Sequence, residues 1–374
     1  MDLDNGAALV AGILLIAMTL RSAVKTFVVP QGRHEAITAI VLEIVTWIFR
    51  PFMRRDVPGV RRIVNRSSAL ALYAPIALLS FYATWLLLTW LGFSLVFWGV
   101  SEEDFVGALR LSGSSLFTLG FSQPPSGGAM ASVLVEAGIG LFLIALLIGY
   151  FPTIYSAYQR RESVVSALQE RAGTPPTGLE LILRHQELGD WQATDALWAT
   201  YEAWFADIGE SHVALEVLPF YRSLADDRAW ANAAGAILDA ATLVTTTVDR
   251  RPTPEAPMVV GAGSRALWRI ASHLGLDAGP RPATTTAGLD RALGTEVHPI
   301  TLTREQWEVA RDRLEAAGVP VRADADAAWA DFVRWRCQYD RPLVLLAAAT
   351  YAPPTAWIER IPPPRVRFFR PRSR

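Results

Sequence analysis

Apolar positions are concentrated before residue 155 of this chain, where they form long continuous runs. The run 68–100 carries no charged residue, and the run 131–152 carries only Glu136. A helix crosses a hydrocarbon core of roughly 30 Å with about 20 apolar residues, so each run predicts a membrane-spanning helix. A third apolar run follows the acidic segment MDLDN and predicts a first span over residues 7–29.

The chain after residue 160 has a different pattern. It is rich in Asp, Glu, Arg and Pro and contains no apolar run of that length. Aromatic residues between positions 191 and 230 recur at helical spacing, which is typical of a packed helical core. The expected fold class is therefore membrane all-α with a mainly helical soluble domain, whose division near 250–260 stays open. We predict three domains: 1–66, 67–155 and 156–374.

The segment 36–49 is apolar but shorter than the other runs. It carries Glu43 in its middle and is flanked by arginines. These features favour an interfacial helix that lies on the inner leaflet with its arginines toward anionic lipid. A fourth span, which would place the N-terminus inside, is the alternative.

The distribution of charge predicts the topology. Short cytoplasmic loops carry an excess of Lys and Arg. The segment 50–66 contains six arginines, whereas 102–104 is acidic, and Arg160 and Arg161 follow the third span. We therefore expect an external N-terminus and a cytoplasmic C-terminal domain in a bacterial inner membrane.

Composition excludes several classes of site. Hydrophobic residues make up 51% of the chain and charged residues only 19%, which is unusual for a soluble protein of this length. The single cysteine, Cys337, excludes an internal disulfide framework and a cysteine metal cluster. The five histidines show no metal-ligand spacing. No nucleophile with a neighbouring base is evident, so we expect neither an enzyme nor a cofactor.

A segment between the two long runs begins a helix but is too short to cross the membrane. Ser101, followed by Glu102, Glu103 and Asp104, predicts a helix start with a capping hydroxyl and an acidic first turn. The helix, predicted over 102–117, is interrupted by glycine and serine, so it must enter the membrane and return. Re-entrant backbone is tolerated only where it is buried in protein or lines water, which predicts a pore or cavity.

The five residues after this short helix are Thr118, Leu119, Gly120, Phe121 and Ser122. Together with their flanking helices they resemble the pore loop of the two-transmembrane potassium-channel type of ion channel, whose selective members read TVGYG. The resemblance covers the central domain only, and it implies a homotetramer because one such unit supplies a quarter of a four-fold filter. It assigns an outer helix, a pore helix and an inner helix: 68–100, 102–117 and 131–152.

The resemblance also implies a permeant ion, K⁺ or Na⁺. In that family, filter carbonyls and a threonine hydroxyl replace the hydration shell of the ion. Leu119 and Phe121 stand where the family has Val and Tyr, and we expect them to pack behind the filter. Ser122 replaces a glycine whose backbone conformation is costly for other residues. Gln123 replaces an aspartate at the outer mouth, so we expect weak discrimination between K⁺ and Na⁺.

Two ionisable residues lie inside the membrane part. Arg110 is on the pore helix and Glu136 is on the third span, where charged groups are costly and usually paired or hydrated. We predict a buried ion pair between them; an Arg110 that reaches the headgroups and a hydrated Glu136 are the alternatives. Ser114 and Ser115 are expected to support the filter from the pore helix.

The third span contains small residues and a proline. Gly138, Gly140, Gly149 and Pro152 permit close helix packing, and they equally permit a bend that opens the inner mouth. The sequence leaves both interpretations open.

A match to the dinucleotide-binding pattern occurs at Gly261, Gly263 and Ala266. That pattern needs a surrounding β-α-β unit, which the neighbouring segments do not provide. We expect a helix-start loop there, without a nucleotide.

The function expected from these features is a cation channel whose cytoplasmic domain receives an unknown signal. The expected partners are the lipid bilayer, three further copies of the chain and a cytoplasmic ligand or protein, but no nucleic acid. The alternative is a non-conducting membrane-anchored scaffold or sensor with a degenerate pore loop.

Overall fold

The computed structural model describes most of the chain as two helical units. The units comprise Met1–Val57 with Leu72–Ser156, and Pro58–Ala71 with Ala157–Arg374. All regular elements within the described residues are helices. The arginine-rich loop 54–65, Glu102 and Glu103 lie outside the described residues. The residues described are 3–27, 36–53, 66–101, 104–124, 127–189, 191–223, 225, 227–250, 254–279, 300–357 and 366.

Among the described residues, three helices are long and apolar enough to cross a membrane. They are α1 (Leu3–Phe27), α3 (Arg66–Val100) and α5 (Gly127–Ala172). These are the three spans that the apolar runs predicted. At 46 residues α5 is much longer than its apolar run, because it continues as a polar helix without interruption.

Helices α1 and α3 approach each other closely through glycines. A Cβ added to Gly12 would lie 2.5 Å from the Gly92 carbonyl oxygen, and one added to Gly99 would lie 2.7 Å from the Asn5 carbonyl oxygen. Position 5 therefore faces 99 while position 12 faces 92, so the two helices are antiparallel. Close contact of small residues is a usual means of packing apolar helices in lipid.

Helix α2 (Ala36–Met53) packs beside both neighbours. The Thr38 hydroxyl hydrogen bonds to that of Thr26 near the end of α1 (2.9 Å). About two turns later, the Thr46 hydroxyl hydrogen bonds to that of Tyr73 on α3 (2.9 Å). The α2 side chains Leu42, Val45 and Phe49 are buried on the same side.

These contacts give α2 a direction. Phe27 at the end of α1 stacks on Tyr82 of α3, with ring centroids 5.2 Å apart. Thr38 therefore lies near the level of Tyr82 on α3, whereas Thr46, about 12 Å further along α2, contacts Tyr73. Tyr73 precedes Tyr82 on α3 by about 13 Å. Helix α2 therefore runs antiparallel alongside α3. The buried side of α2 thus packs on protein, and its placement on the inner leaflet stays a prediction.

The second unit contains seven further α-helices among its described residues. Helix α6 starts after Thr177, whose hydroxyl accepts the Glu180 backbone N–H (3.2 Å) and so caps the helix. A 3₁₀ turn, Leu218–Phe220, precedes α8. The helices are α6 (Gly178–Leu188), α7 (Trp191–Ala214), α8 (Trp230–Thr246), α9 (Glu255–His273), α10 (Arg304–Ala316), α11 (Ala325–Arg336) and α12 (Asp340–Ala349).

Helix α8 is the centre of this unit. Nearly all of its residues are buried, and it packs against α6, α9, α11 and α12. The helical core predicted from aromatic spacing is present: Trp198, Tyr201 and Phe205 of α7 belong to it. Gly261 and Gly263 lie within α9, so the expected loop at this position is wrong, and the backbone is helical where a nucleotide-binding turn would be needed.

The polar part of α5 is held by one buried arginine, Arg161. Its Nη1 donates to the Leu218 carbonyl oxygen (3.1 Å), and its Nη2 donates to the Tyr221 carbonyl oxygen (2.7 Å) and to Glu162 (2.9 Å). The Nε2 atom of buried His212 lies 3.2 Å from Nη1. Burial and the Arg161 charge hold the pKa of His212 well below its usual value, so the imidazole is neutral and can accept this hydrogen bond.

Glycine-to-alanine changes at two positions of α9 test the packing around α8. A Cβ on Gly263 would lie 2.6 Å from Leu238 Cδ2 and 2.9 Å from the Phe205 ring, whereas the nearest atom to a Cβ on Gly261 is 3.5 Å away. We expect Gly263→Ala to destabilise the protein by about 1–3 kcal/mol through overpacking. The matched change Gly261→Ala should be neutral or stabilise by up to about 1 kcal/mol, because alanine favours helix.

Thermal unfolding of the detergent-solubilised protein measures both changes. Equal unfolding temperatures for the two variants would contradict the close packing of α9 on α8 and α7.

Candidate pore loop

A short helix, α4 (Phe105–Leu116), lies between the two long apolar helices α3 and α5. Its N-cap is Asp104, whose carboxylate accepts the Gly107 backbone N–H (2.9 Å). The prediction that Ser101 caps this helix is wrong. The Ser101 hydroxyl donates back to the Phe97 carbonyl oxygen (2.7 Å) and so belongs to the end of α3.

The chain turns sharply after α4 and folds back onto its last turn. The Ser114 carbonyl oxygen accepts the backbone N–H groups of Leu119 (2.8 Å) and Gly120 (3.4 Å). The Ser114 hydroxyl oxygen accepts the Ser122 N–H (3.1 Å). Ser114 therefore holds the middle and the end of segment 118–122, while the Ser115 carbonyl oxygen accepts the Thr118 N–H at its start (2.9 Å). The supporting role of Ser114 in a filter stays a prediction.

Two residues of this segment have positive φ angles, Thr118 (54°) and Gly120 (70°). Glycine adopts this conformation without cost, but a threonine with its branched Cβ does not. Ser122 is not among the described residues with positive φ, so the expected strain at Ser122 is wrong. The strained position is Thr118, immediately after the helix.

Most of this segment is exposed, and only Ser122 is half-buried. Leu119 and Phe121 are 64% and 65% exposed, and Thr118 and Gly120 are also exposed. Within one chain, Leu119 and Phe121 do not pack behind the segment as predicted.

Side-chain hydrogen bonds fasten α4 to both long helices. Trp90 Nε1 of α3 donates to the Leu109 carbonyl oxygen (3.0 Å). The Ser115 hydroxyl donates to the Val133 carbonyl oxygen of α5 (2.7 Å), so Ser115 joins α4 to α5. Buried apolar contacts among Phe93, Phe97, Ala108 and Leu111 complete the attachment.

Glu136 is completely buried beside α4. The Ser112 hydroxyl donates to Glu136 Oε1 (2.5 Å) and also lies 2.9 Å from the Trp90 carbonyl oxygen. No hydrogen bond to Glu136 Oε2 is present in the described part of the chain. Ser112 therefore connects three helices. It belongs to α4, and its hydroxyl contacts Trp90 of α3 and Glu136 of α5.

The ion pair predicted between Arg110 and Glu136 is not formed within the chain. Arg110 is exposed, whereas Glu136 faces Ser112 on the buried side of α4. Positions 110 and 112 lie about 200° apart around a helix, so they point to opposite faces. Glu136 packs against the face of α4 that carries Ser112, so Arg110 on the opposite face does not meet it.

The four predicted hinge residues have different surroundings. A Cβ on Gly140 would lie 2.3 Å from the Leu116 carbonyl oxygen, so this glycine permits α5 to touch the end of α4. Nothing lies within 4 Å of a Cβ placed on Gly138 or Gly149. Pro152 lies inside the continuous helix α5. Gly140 is therefore a packing residue, and the other three are compatible with either role.

Sequence reasoning missed Trp90, Ser112 and Val133. The sequence does indicate Ser112, because it precedes Ser115 by three residues and therefore lies on the same face of the helix. Val133 contributes only its carbonyl group, which no side-chain pattern reveals. No group of three metal-ligating side chains occurs among the residues that the structure describes.

Comparisons with protein-family models, curated proteins and solved structures found no match to this chain. The functional interpretation therefore rests on the geometry of the loop and on the attachment of α4 to α3 and α5.

Double-mutant cycles distinguish the partner of Glu136. We expect Ser112→Ala and Glu136→Leu to be non-additive in unfolding free energy, by about 0.5–3 kcal/mol, because they remove the same hydrogen bond. Arg110→Gln and Glu136→Leu should be additive, since the two side chains do not meet. Thermal unfolding in detergent measures both cycles, and coupling in the Arg110 cycle alone would contradict this arrangement.

Proposed function

We propose that this chain is the subunit of a homotetrameric, potassium-channel-like cation channel in a bacterial inner membrane. Segment 118–122 forms the ion-selective part of the pore, and α4 is the pore helix. The soluble domain lies in the cytoplasm and receives the signal that opens the pore.

The observation that carries this proposal is the return of segment 118–122 onto α4. In a membrane interior, non-helical backbone is tolerated only when it is buried in protein or lines water. Ser114 fixes the middle and the end of this backbone, yet the side chains of Thr118, Leu119 and Phe121 are exposed in the single chain. A partner surface or water must therefore cover them.

Assembly around one axis meets this requirement. Four copies would pack Leu119 and Phe121 against neighbouring subunits and turn backbone carbonyls toward the axis, where they replace the hydration shell of a cation. The arginines 50–66 and Arg160 favour the cytoplasmic side for the soluble domain. No span carries a regular arginine series, so the gating signal is not membrane voltage.

Cation flux into liposomes tests conduction. We expect the purified protein to carry K⁺ flux, and we expect Gly120→Ala to abolish most of it, because alanine at a φ of 70° costs about 1–3 kcal/mol. Gly128→Ala is the matched control: a Cβ there meets nothing within 4 Å, and φ is not positive.

Three results would contradict the proposal. Absence of flux from a tetrameric wild-type protein would favour a membrane-anchored scaffold with a degenerate pore loop. A monomeric protein in mild detergent would remove the basis for a four-fold filter. Equal flux from Gly120→Ala and wild type would place the pore elsewhere.

Selectivity is the second measurable property. Because Ser122 and Gln123 occupy the outer end of the loop, we expect K⁺ and Na⁺ permeabilities to differ by no more than about tenfold, or about 1.4 kcal/mol. The double change Ser122→Gly with Gln123→Asp should shift the reversal potential toward the K⁺ equilibrium value. A wild-type reversal potential already at that value would show the expectation to be wrong.

A further inference from the structure

A buried ionic cluster lies in the second unit, far along the chain from the pore loop. Arg336 is fully buried and donates to the carboxylates of Asp239 and of Asp340, the latter at 3.0 Å. It also donates to the Trp357 carbonyl oxygen (2.6 Å). One guanidinium is thus shared by two carboxylates, and the three ionised groups sum to one negative charge.

The two carboxylates differ in how fully they are bonded. Asp340 accepts from Arg336 and also from the Thr301 N–H (3.0 Å) and hydroxyl (2.8 Å), so both of its oxygens have donors. Asp239 accepts from Arg336 and from the Tyr339 hydroxyl (2.9 Å), but both bonds end on Oδ1. No described residue donates to Asp239 Oδ2, and this oxygen keeps some accessible surface although the residue as a whole is only 2% exposed.

Asp239 lines a cleft of about 220 Å³ beside this cluster. Asn232 and Ala236 of α8 continue its floor, and the Asn232 Oδ1 atom also has no hydrogen-bond donor. Trp357 forms part of the wall, and Val309 of α10 lies at the exposed rim. A buried acceptor without a donor, such as Asn232 Oδ1, is uncommon because it costs free energy comparable to a lost hydrogen bond.

We propose that this cleft binds a small primary amine, whose protonated amino group donates a hydrogen bond to Asp239 Oδ2. The positive charge of the ligand balances the excess negative charge of the cluster. The proposal goes beyond the pore and does not depend on conduction.

The surroundings favour an organic ammonium over an inorganic cation. Metal cations such as Ca²⁺ require six or more oxygen ligands, whereas the floor offers the free oxygen of Asp239 and the amide of Asn232. The Arg336 guanidinium already lies over the Trp357 ring, 5.8 Å from its centroid, so Trp357 offers an apolar contact to the alkyl part of an amine. The Glu180 and Arg313 side chains of the cleft pair with each other (2.7 Å) and leave its remaining wall without net charge.

The ionisation of Asp239 agrees with this role. Burial raises the pKa of Asp239 to about 6, against the lowering influence of Arg336 and of the Tyr339 hydroxyl. The carboxyl is thus mostly ionised at neutral pH, where an alkylamine is protonated.

Calorimetric titration of the full-length protein in detergent at about pH 7.5 tests the proposal. The probes are ethylammonium, tetramethylammonium and sodium, all as chlorides. We expect ethylammonium to bind with a dissociation constant of about 1 mM or lower. Tetramethylammonium has the same charge but no N–H donor and should not bind, and sodium should not bind either.

Two exposed positions give matched charge variants. Val309→Lys places a competing ammonium at the cleft, and we expect it to weaken ethylammonium binding by about tenfold or more. Met258→Lys introduces the same charge on α9, outside the cleft lining, and should leave binding unchanged. Asp239→Asn is not used, because it would break the bond to Arg336.

Each contrary result overturns the proposal. Absence of ethylammonium binding at about 10 mM would remove the site. Binding of tetramethylammonium or sodium as strong as that of ethylammonium would show that no N–H donor is recognised. Equal weakening by Val309→Lys and Met258→Lys would show that the amine binds elsewhere.

Discussion

The loop after α4 depends on one constraint: a chain that turns back among apolar helices must satisfy the polar groups that it buries. Three serines of α4 meet that constraint in different ways. Ser114 accepts the N–H of Ser122, Ser115 donates to a carbonyl of α5, and Ser112 donates to Glu136. Loop shape, helix attachment and the burial of a carboxyl group all follow from this hydroxyl chemistry.

Much of the fold could be predicted from the sequence, because long apolar runs have a single physical solution in lipid. The three long apolar helices and the helical second unit follow from run length and helical periodicity. The orientation of α2 could not be predicted in this way. Its apolar pattern fits either lipid or a protein neighbour, and the choice depends on hydrogen bonds of Thr38 and Thr46 with residues distant in sequence.

The sequence was sufficient to predict which segment forms the candidate site, but not which residues contact one another there. Thr118 to Ser122 stood out because a short helix and a long apolar helix flank them. The partner of Glu136 was not predictable, since charge complementarity favoured Arg110, whereas the helix face decides which side chain meets it. The position of backbone strain was likewise missed, because resemblance placed it at Ser122 and the turn places it at Thr118.

The contact between Gly140 and Leu116 has a further consequence for the end of α4. The last carbonyl groups of a helix lack partners within the helix. The Gly140 hydrogen that a Cβ would replace points at the Leu116 carbonyl oxygen, which makes a weak Cα–H···O interaction. Gly140 therefore both permits the close approach of the two helices and supplies a Cα–H donor. An alanine there would fill the space and also replace the donating hydrogen.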